Sequence, residues 1–151
     1  MSWDLLGHEW AENLLRSHIA RDDARHAYLL TGAPGVGRRS LALEFASALN
    51  CQQPPAAGDY CGTCRVCRQT AAMQLPDLSL VTPESDGGMI KVGQVRELQH
   101  TLSLTPYEAR YRVALLLNFQ LANTSAQNAL LKTLEEAPPR VILLLTADSA
   151  D

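Results

Sequence analysis

The most constraining feature is a junction. Ala27-Tyr28-Leu29-Leu30-Thr31 is a short apolar run that stops at Gly32-Ala33-Pro34-Gly35-Val36-Gly37 and leads into Leu41, Phe45 and Leu49. An apolar run without polar alternation, ended by a glycine turn, reads as a parallel strand covered on both faces. Apolar residues at i, i+4 and i+8 read as a helix laid on that sheet, here as far as Asn50. Strand, glycine turn and helix together begin a βαβ unit. The pattern recurs: Leu78 to Val81, Val113 to Leu117 and Val141 to Leu145 read as further strands. Helical spacing appears in Trp10, Ala11, Leu14, Leu15, His18 and Ile19, ended by Arg21-Asp22-Asp23, and in Val95, Leu98 and Leu102 within a helix of roughly 94 to 103. A last helix runs from Thr124 to Glu136, with Ala126, Ala129, Leu130 and Leu134 facing inward. Strands alternating with helices predict a three-layer α/β domain around a parallel sheet.

Composition narrows the function. The 151 residues are 46% hydrophobic and 19% charged, ordinary values for one globular domain. Thirteen Lys and Arg against sixteen Asp and Glu give a net charge of −3, too balanced for indiscriminate nucleic-acid binding through bulk charge. Any such contact must be local. The longest apolar runs are five residues, far short of the ~20 that span a bilayer. Met1-Ser2-Trp3-Asp4 lacks the basic and apolar regions of a secretory signal, so a cytoplasmic protein without membrane contact is expected. No internal repeat or low-complexity tract is visible. His8, His18, His26 and His100 are scattered, with no nucleophile and acid nearby to suggest a triad.

Residues 51 to 73 interrupt the α/β pattern with Pro54-Pro55, Gly58 and all four cysteines of the chain, as Cys51-x9-Cys61-x2-Cys64-x2-Cys67. They read as an inserted, loop-rich module. Four thiolates complete a tetrahedral Zn2+ shell and leave no open position, which favours a structural over a catalytic zinc. Two disulfides, disfavoured in a reducing compartment, and coincident free thiols are the alternatives.

Gly32-x4-Gly37 has the frame of a phosphate-binding loop at a helix N-terminus. Its chemistry departs from the pattern, because Arg38-Arg39 stand where Lys-Ser/Thr is required and Ser40 comes one place late. Weak anion binding through Arg38 and a turn kept for packing are equal readings. Nucleotide hydrolysis also needs a carboxylate at the end of a neighbouring strand. After Val113 to Leu117 come Asn118, Phe119 and Gln120, with no carboxylate until Glu135. Two parts of an ATPase site are missing, which predicts a P-loop fold that does not hydrolyse nucleotide.

Several segments together resemble the AAA+ subunits of the bacterial DNA polymerase III clamp loader, and most of all the delta-prime branch. His26 to Gly37 looks like the family's first strand and P-loop, followed after one helix by the cysteine module. Pro76-Asp77-Leu78 resembles its second-strand entry and Val92-Gly93-Gln94-Val95-Arg96-Glu97-Leu98 its following helix. Asn128-Ala129-Leu130-Leu131-Lys132-Thr133-Leu134-Glu135-Glu136 is nearly a signature. The resemblance spans roughly residues 3 to 148.

It implies a sheet of order 5-1-4-3-2, with the fifth strand outside this chain and the edge at Ala27 to Thr31 open. It also implies an N-terminal AAA+ domain over 1–151, with the zinc module at 51–73 and the family's lid and collar not included. Counting back from Asn128 places Leu117 and Asn118 where active members carry the Walker B Asp and Glu, and Thr146-Ala147 at the sensor-1 position. Within the degenerate nucleotide loop of Gly32, Gly35, Gly37, Arg38, Arg39 and Ser40 the glycines keep the frame, and the departures at Arg38 and Arg39, with those at Leu117 and Asn118, point to the non-hydrolysing branch. Structural Zn2+ on Cys51, Cys61, Cys64 and Cys67 is expected, and productive binding of ATP with Mg2+ is not. Implied partners are the gamma/tau and delta subunits and, through the assembly, the sliding clamp and primer-template DNA. Arg96 is the candidate phosphate contact, with a plain surface arginine as the other reading. Lys132, Glu135 and Glu136 read as interface or helix-end charges. The alternatives are a gamma/tau-like motor using Ser40 in a shifted register, and a zinc-dependent nucleic-acid module.

Overall fold

The computed structural model describes residues 9–21, 25–31, 38–84, 88–104, 109–136 and 139–147. Helix α1 (Glu9–Ala20) precedes strand β1 (Ala27–Thr31), helix α2 (Arg38–Asn50), helix α3 (Arg65–Ala71) and strand β2 (Leu78–Val81). Helix α4 (Val92–Leu102), strand β3 (Arg112–Leu116), a 3-10 turn at Phe119–Leu121, helix α5 (Thr124–Glu135) and strand β4 (Val141–Ala147) complete the order. The strands form one sheet, β1-β4-β3-β2, parallel throughout. This is the 1-4-3-2 core of the expected order.

Burial explains the order of strands. Every residue of β3 and of β4 is buried, as central strands of a parallel sheet covered on both faces require. Side chains alternate between two cores. Val113, Leu115, Ile142 and Leu144 meet Leu41, Phe45 and Leu49 of α2 and Leu15 of α1 on one face. Ala114, Leu116, Leu143 and Leu145 meet Val95, Leu98 and Leu102 of α4 and Ala126 and Leu130 of α5 on the other. Helix α5 starts where Asn123 caps it, its Oδ1 accepting from the Ala126 N–H at 2.9 Å. Helix α4 is opened by Gln94, whose Oε1 accepts from the Lys91 N–H at 2.9 Å.

Several boundaries differ from the sequence reading. Strand β3 is Arg112–Leu116 rather than 113 to 117, because Arg112 pairs with Val141, while Leu117 keeps only its N–H bond to the Val81 carbonyl and is already in a turn. Strand β4 runs two residues further, pairing Thr146 and Ala147 with Leu30 and Thr31. Helix α4 begins at Val92, three residues before Val95, the first position of its buried stripe. Strand β1 is not covered on both faces: it is an edge, and Leu29 is 51% exposed. In α1, Leu15 is buried but Leu14 is 47% exposed, so the apolar stripe is narrower than its pattern.

At the entry to β2 and β3 lies a buried ion pair. Asp77 Oδ1 is 3.5 Å from Arg112 Nη2, and Asp77 Oδ2 accepts from the Ala109 N–H at 2.8 Å. The pair fixes the start of β3 against that of β2.

Candidate metal centre and nucleotide loop

Helix α2 delivers Cys51 to the inner end of the cysteine module, and α3 carries Cys67 back to it. Cys51 and Cys67 are buried, whereas Cys61 and Cys64 are partly exposed. All four Sγ atoms lie within 4.8 Å of one another. Backbone amides already face them. The Cys61 N–H donates to Cys51 Sγ at 3.3 Å, and the Cys67 N–H to Cys64 Sγ at 3.4 Å. Cys61 Sγ accepts from Thr63 N–H at 3.4 Å and Cys64 N–H at 3.2 Å. Gly62, at φ 76°, supplies the left-handed turn that points both amides back at Cys61. These two amides hold the Cys61 thiol down at about 5, so it is a thiolate at neutral pH. Burial pushes the Cys51 and Cys67 thiols up. The four sulfurs could hold one tetrahedral metal ion, and a four-sulfur shell leaves no position for substrate.

The module is built into the domain core. Cys51, Tyr60, Val66, Cys67 and Leu75 share one buried cluster with Phe45, Leu115 and Leu144. Asn50 acts as a strand partner for Tyr111: its Oδ1 accepts from the Tyr111 N–H at 2.9 Å and its Nδ2 donates to the Tyr111 carbonyl at 3.1 Å. Tyr60 Oη donates to Glu44 Oε1 at 2.6 Å. Helix α1 packs directly on the module. Arg16 Nε lies 3.3 Å from Asp59 Oδ1, and a Cβ at Gly58 would stand 2.6 Å from the Arg16 carbonyl oxygen. Only glycine fits there, and its φ of 86° demands one as well.

Sequence reasoning placed Asn50 and Gly58 only as a helix end and a loop glycine, and missed their contacts, Tyr60 and helix α3. Asn50 and Tyr60 carry no local signal, since their partners are distant in the chain. Helix α3 has a legible start in hindsight, because Cys64 Sγ serves as its cap.

The C-terminal ends of the strands carry the second candidate site. Gly32, Gly35 and Gly37 lie outside the described residues, as does the side chain of Arg38. Arg39 and Ser40 are exposed in the first turn of α2, and Arg39 Nη2 reaches Met73 Sδ at 3.3 Å, at the far end of the cysteine module. Leu117 is buried and its N–H donates to the Val81 carbonyl at 2.9 Å. Asn118 stands in the left-handed region, φ 58° and ψ 50°, and its N–H donates to Thr146 Oγ1 at 2.9 Å. Thr146 is itself buried, so its hydroxyl closes the gap between the ends of β3 and β4. No carboxylate occupies Leu117 or Asn118. Arg96 is exposed on α4, one turn beyond Gly93, where the space for a Cβ is open. Lys132, Glu135 and Glu136 are exposed on and just beyond α5, far along the chain from any cysteine.

Residues 7–151 match the protein family described as DNA polymerase III, delta subunit. The chain belongs to this family. It is 40% identical over 136 residues to the DNA polymerase III subunit delta' of Pseudomonas aeruginosa, covering 90% of this chain and 41% of that protein. It is 34% identical over 146 residues to the DNA polymerase III subunit tau of Escherichia coli, covering 96% of this chain and 22% of that protein. Among solved structures it resembles a DNA polymerase III gamma subunit-related protein from Thermotoga maritima, with TM-score 0.64 and 19% identity over 96% of this chain and 40% of the other. That likeness speaks for the fold. The chain spans about two fifths of the length of the delta' relative. No helix among the described residues is long and apolar enough to cross a membrane.

Proposed function

We propose that the chain is the AAA+ domain of a delta-prime-type, non-hydrolysing clamp-loader subunit, working with gamma/tau and delta subunits to place the sliding clamp on primed DNA. One observation carries the non-hydrolysing part. The end of β3, where a motor would hold Mg2+ and polarise water, presents Leu117 buried in the core and Asn118 fixed by Thr146 Oγ1. Family membership and the identity to a delta' subunit supply the assembly. Such a domain contributes a rigid face to an interface whose ATP belongs to a neighbour. Arg38, Arg39 and Ser40 then need hold no triphosphate.

The metal is Zn2+ in this reading, bound by Cys51, Cys61, Cys64 and Cys67. A tetrahedron with Zn–S bonds of about 2.3 Å draws its sulfurs to about 3.8 Å from one another. The observed 4.8 Å limit is a modest contraction away, and the amides that face Cys51, Cys61 and Cys64 are those a thiolate accepts from. Bound zinc would supply cross-linking, not chemistry. Arg96 and the open backbone at Gly93 would meet a DNA phosphate from the exposed side of α4.

The test is co-assembly. Purified chain, loaded with zinc, is mixed with gamma/tau and delta subunits and run on a sizing column beside an ATPase assay of each component. The expected result is a complex containing the chain, with all ATP turnover traced to gamma/tau. Turnover by the chain alone, removed by Ser40→Ala, would replace this reading with that of a motor. Failure to join either subunit would remove the clamp-loader assignment.

A further inference from the structure

The sheet has a second edge, at β2, that the function above does not use. In the ladder with β3, the Val113 N–H donates to the Asp77 carbonyl and the Leu117 N–H to the Val81 carbonyl, each at 2.9 Å. Alternation along the strand therefore turns the backbone groups of Leu78 and Leu80 away from β3. The two ends of this outer row are closed. The Leu78 N–H donates to the Leu75 carbonyl at 3.0 Å, and Gln94 Nε2 donates to the Thr82 carbonyl at 2.7 Å. Between them the Leu78 carbonyl, both Leu80 groups and the Thr82 N–H have no partner among the described residues. They form a short template for one more strand.

The flanks of this row differ in chemistry. On the α4 side runs a trough of about 200 Å³ lined by Ser79, Leu80, Val81, Glu84, Gln94 and Glu97 among others, and Leu80 stands at its rim on the strand edge. Its charged groups are Glu84 and Glu97, both exposed and with no cation lining the trough. Around α4, Arg96 and His100 lie about 200° and 240° from Gln94 and Lys91 about 60° from it, and none of the three lines the trough. Alternation along β2 sends Val81 to the α4 core and turns the side chain of Leu80 to the other face, where it is 43% exposed. The edge is short, four residues closed by Pro83 just beyond Thr82, but Leu78–Val81 itself carries no lysine or proline to blunt it.

We propose that the β2 edge is a docking site for an extended segment of a partner protein that alternates basic and apolar residues. The segment adds a fifth strand, its main chain bonding to Leu80 and Thr82. Its basic side chains point to the α4 face and meet Glu84 and Glu97, and its apolar ones point to the other face and cover Leu80. The proposal does not depend on the clamp-loader reading, because it rests on the edge, the trough and their charge alone.

The experiment titrates the full zinc-loaded chain, labelled with 15N, with two short synthetic peptides. One alternates lysine and valine, and the other glutamate and valine. The expected result is saturable amide shifts with the lysine peptide, centred on Leu80, Thr82, Gln94, Glu97 and Thr101, and none with the glutamate peptide. Leu80→Pro removes an outward N–H without touching the β3 ladder, and loss of one such bond is expected to weaken binding about tenfold. The double variant Glu84→Lys, Glu97→Lys changes only exposed side chains and should transfer preference to the glutamate peptide. If Leu80→Pro fails to fold, this double variant decides. Absence of saturable shifts with the lysine peptide at millimolar concentration overturns the proposal. So do shifts centred elsewhere, or a charge-reversed chain that still prefers lysine.

Discussion

Removing the zinc proposed for the four cysteines is the perturbation whose size follows most directly from the structure. Cys51, Tyr60, Val66, Cys67 and Leu75 sit in the same buried cluster as Phe45, Leu115 and Leu144. A module released from its cross-link exposes Val66 and Leu75, which at about 1.5 to 3 kcal/mol each amounts to roughly 3 to 6 kcal/mol as an upper bound. Linkage gives a matching figure, since free Zn2+ at a thousand times its dissociation constant stabilises the folded state by about 4 kcal/mol. For a chain of 151 residues each kcal/mol moves Tm by about 2 to 4 °C. Chelation should therefore lower Tm by about 8 to 16 °C. The assay is thermal unfolding followed by circular dichroism, with and without a strong chelator and with zinc restored. Hydrogen exchange adds a spatial test: protection should fall in the C-terminal turns of α2 and in α1 around Arg16, which packs on Gly58 and Asp59. A Tm change below about 2 °C would refute the argument that the module is part of the core. So would lost protection confined to residues 51 to 73.

Metal binding should release at least two protons near neutral pH, because burial keeps Cys51 and Cys67 as thiols in the metal-free chain while Cys61 is already ionised. Zinc affinity then rises with pH by about a hundredfold per unit or more, and calorimetry in buffers of different ionisation heat counts the protons, with a count of zero contradicting the assignment. Asp77→Asn keeps the acceptor for Ala109 but leaves the Arg112 guanidinium buried without its counter-charge, at a cost of about 3 to 5 kcal/mol in urea unfolding. A loss below about 1 kcal/mol would show that water reaches that pair. Gly58→Ala should cost about 2 kcal/mol or more, from the positive φ and from contact with the Arg16 carbonyl, and a chain as stable as the parent would mean α1 is not seated on the module.

The fold was largely legible because its central strands are apolar throughout and its helices present one stripe each. Val141 to Leu145 and Val113 to Leu117 had no other reading than buried strands, and Leu41, Phe45 and Leu49 had no surface to face but a sheet. The errors share a physical cause, which is that local pattern does not report position in the sheet. Leu29 sits in a short apolar run much as Leu143 does, yet one is half exposed on an edge and the other fully buried in the centre. The spacing of the cysteines anticipated that their four sulfurs converge, since two C-x2-C steps fold the chain back on itself. It could not reveal that the module is sewn to β3 through Asn50 and Tyr111, which are 61 residues apart. Helix α3 was obscured because a helix of seven residues has little room for periodicity. At the end of β3 the sequence already shows that Leu117 and Asn118 bring no carboxylate. That Thr146 Oγ1 takes up the Asn118 N–H required coordinates.

The most direct test of the central claim is calorimetric titration of zinc-loaded chain with ATP and Mg2+, with total zinc measured on the same sample. A non-hydrolysing structural subunit predicts one zinc per chain and no saturable heat of nucleotide binding. Saturable, Mg2+-dependent binding followed by release of phosphate would mean that Arg38, Arg39 and Ser40 rebuild a working phosphate site, and the chain would have to be a motor.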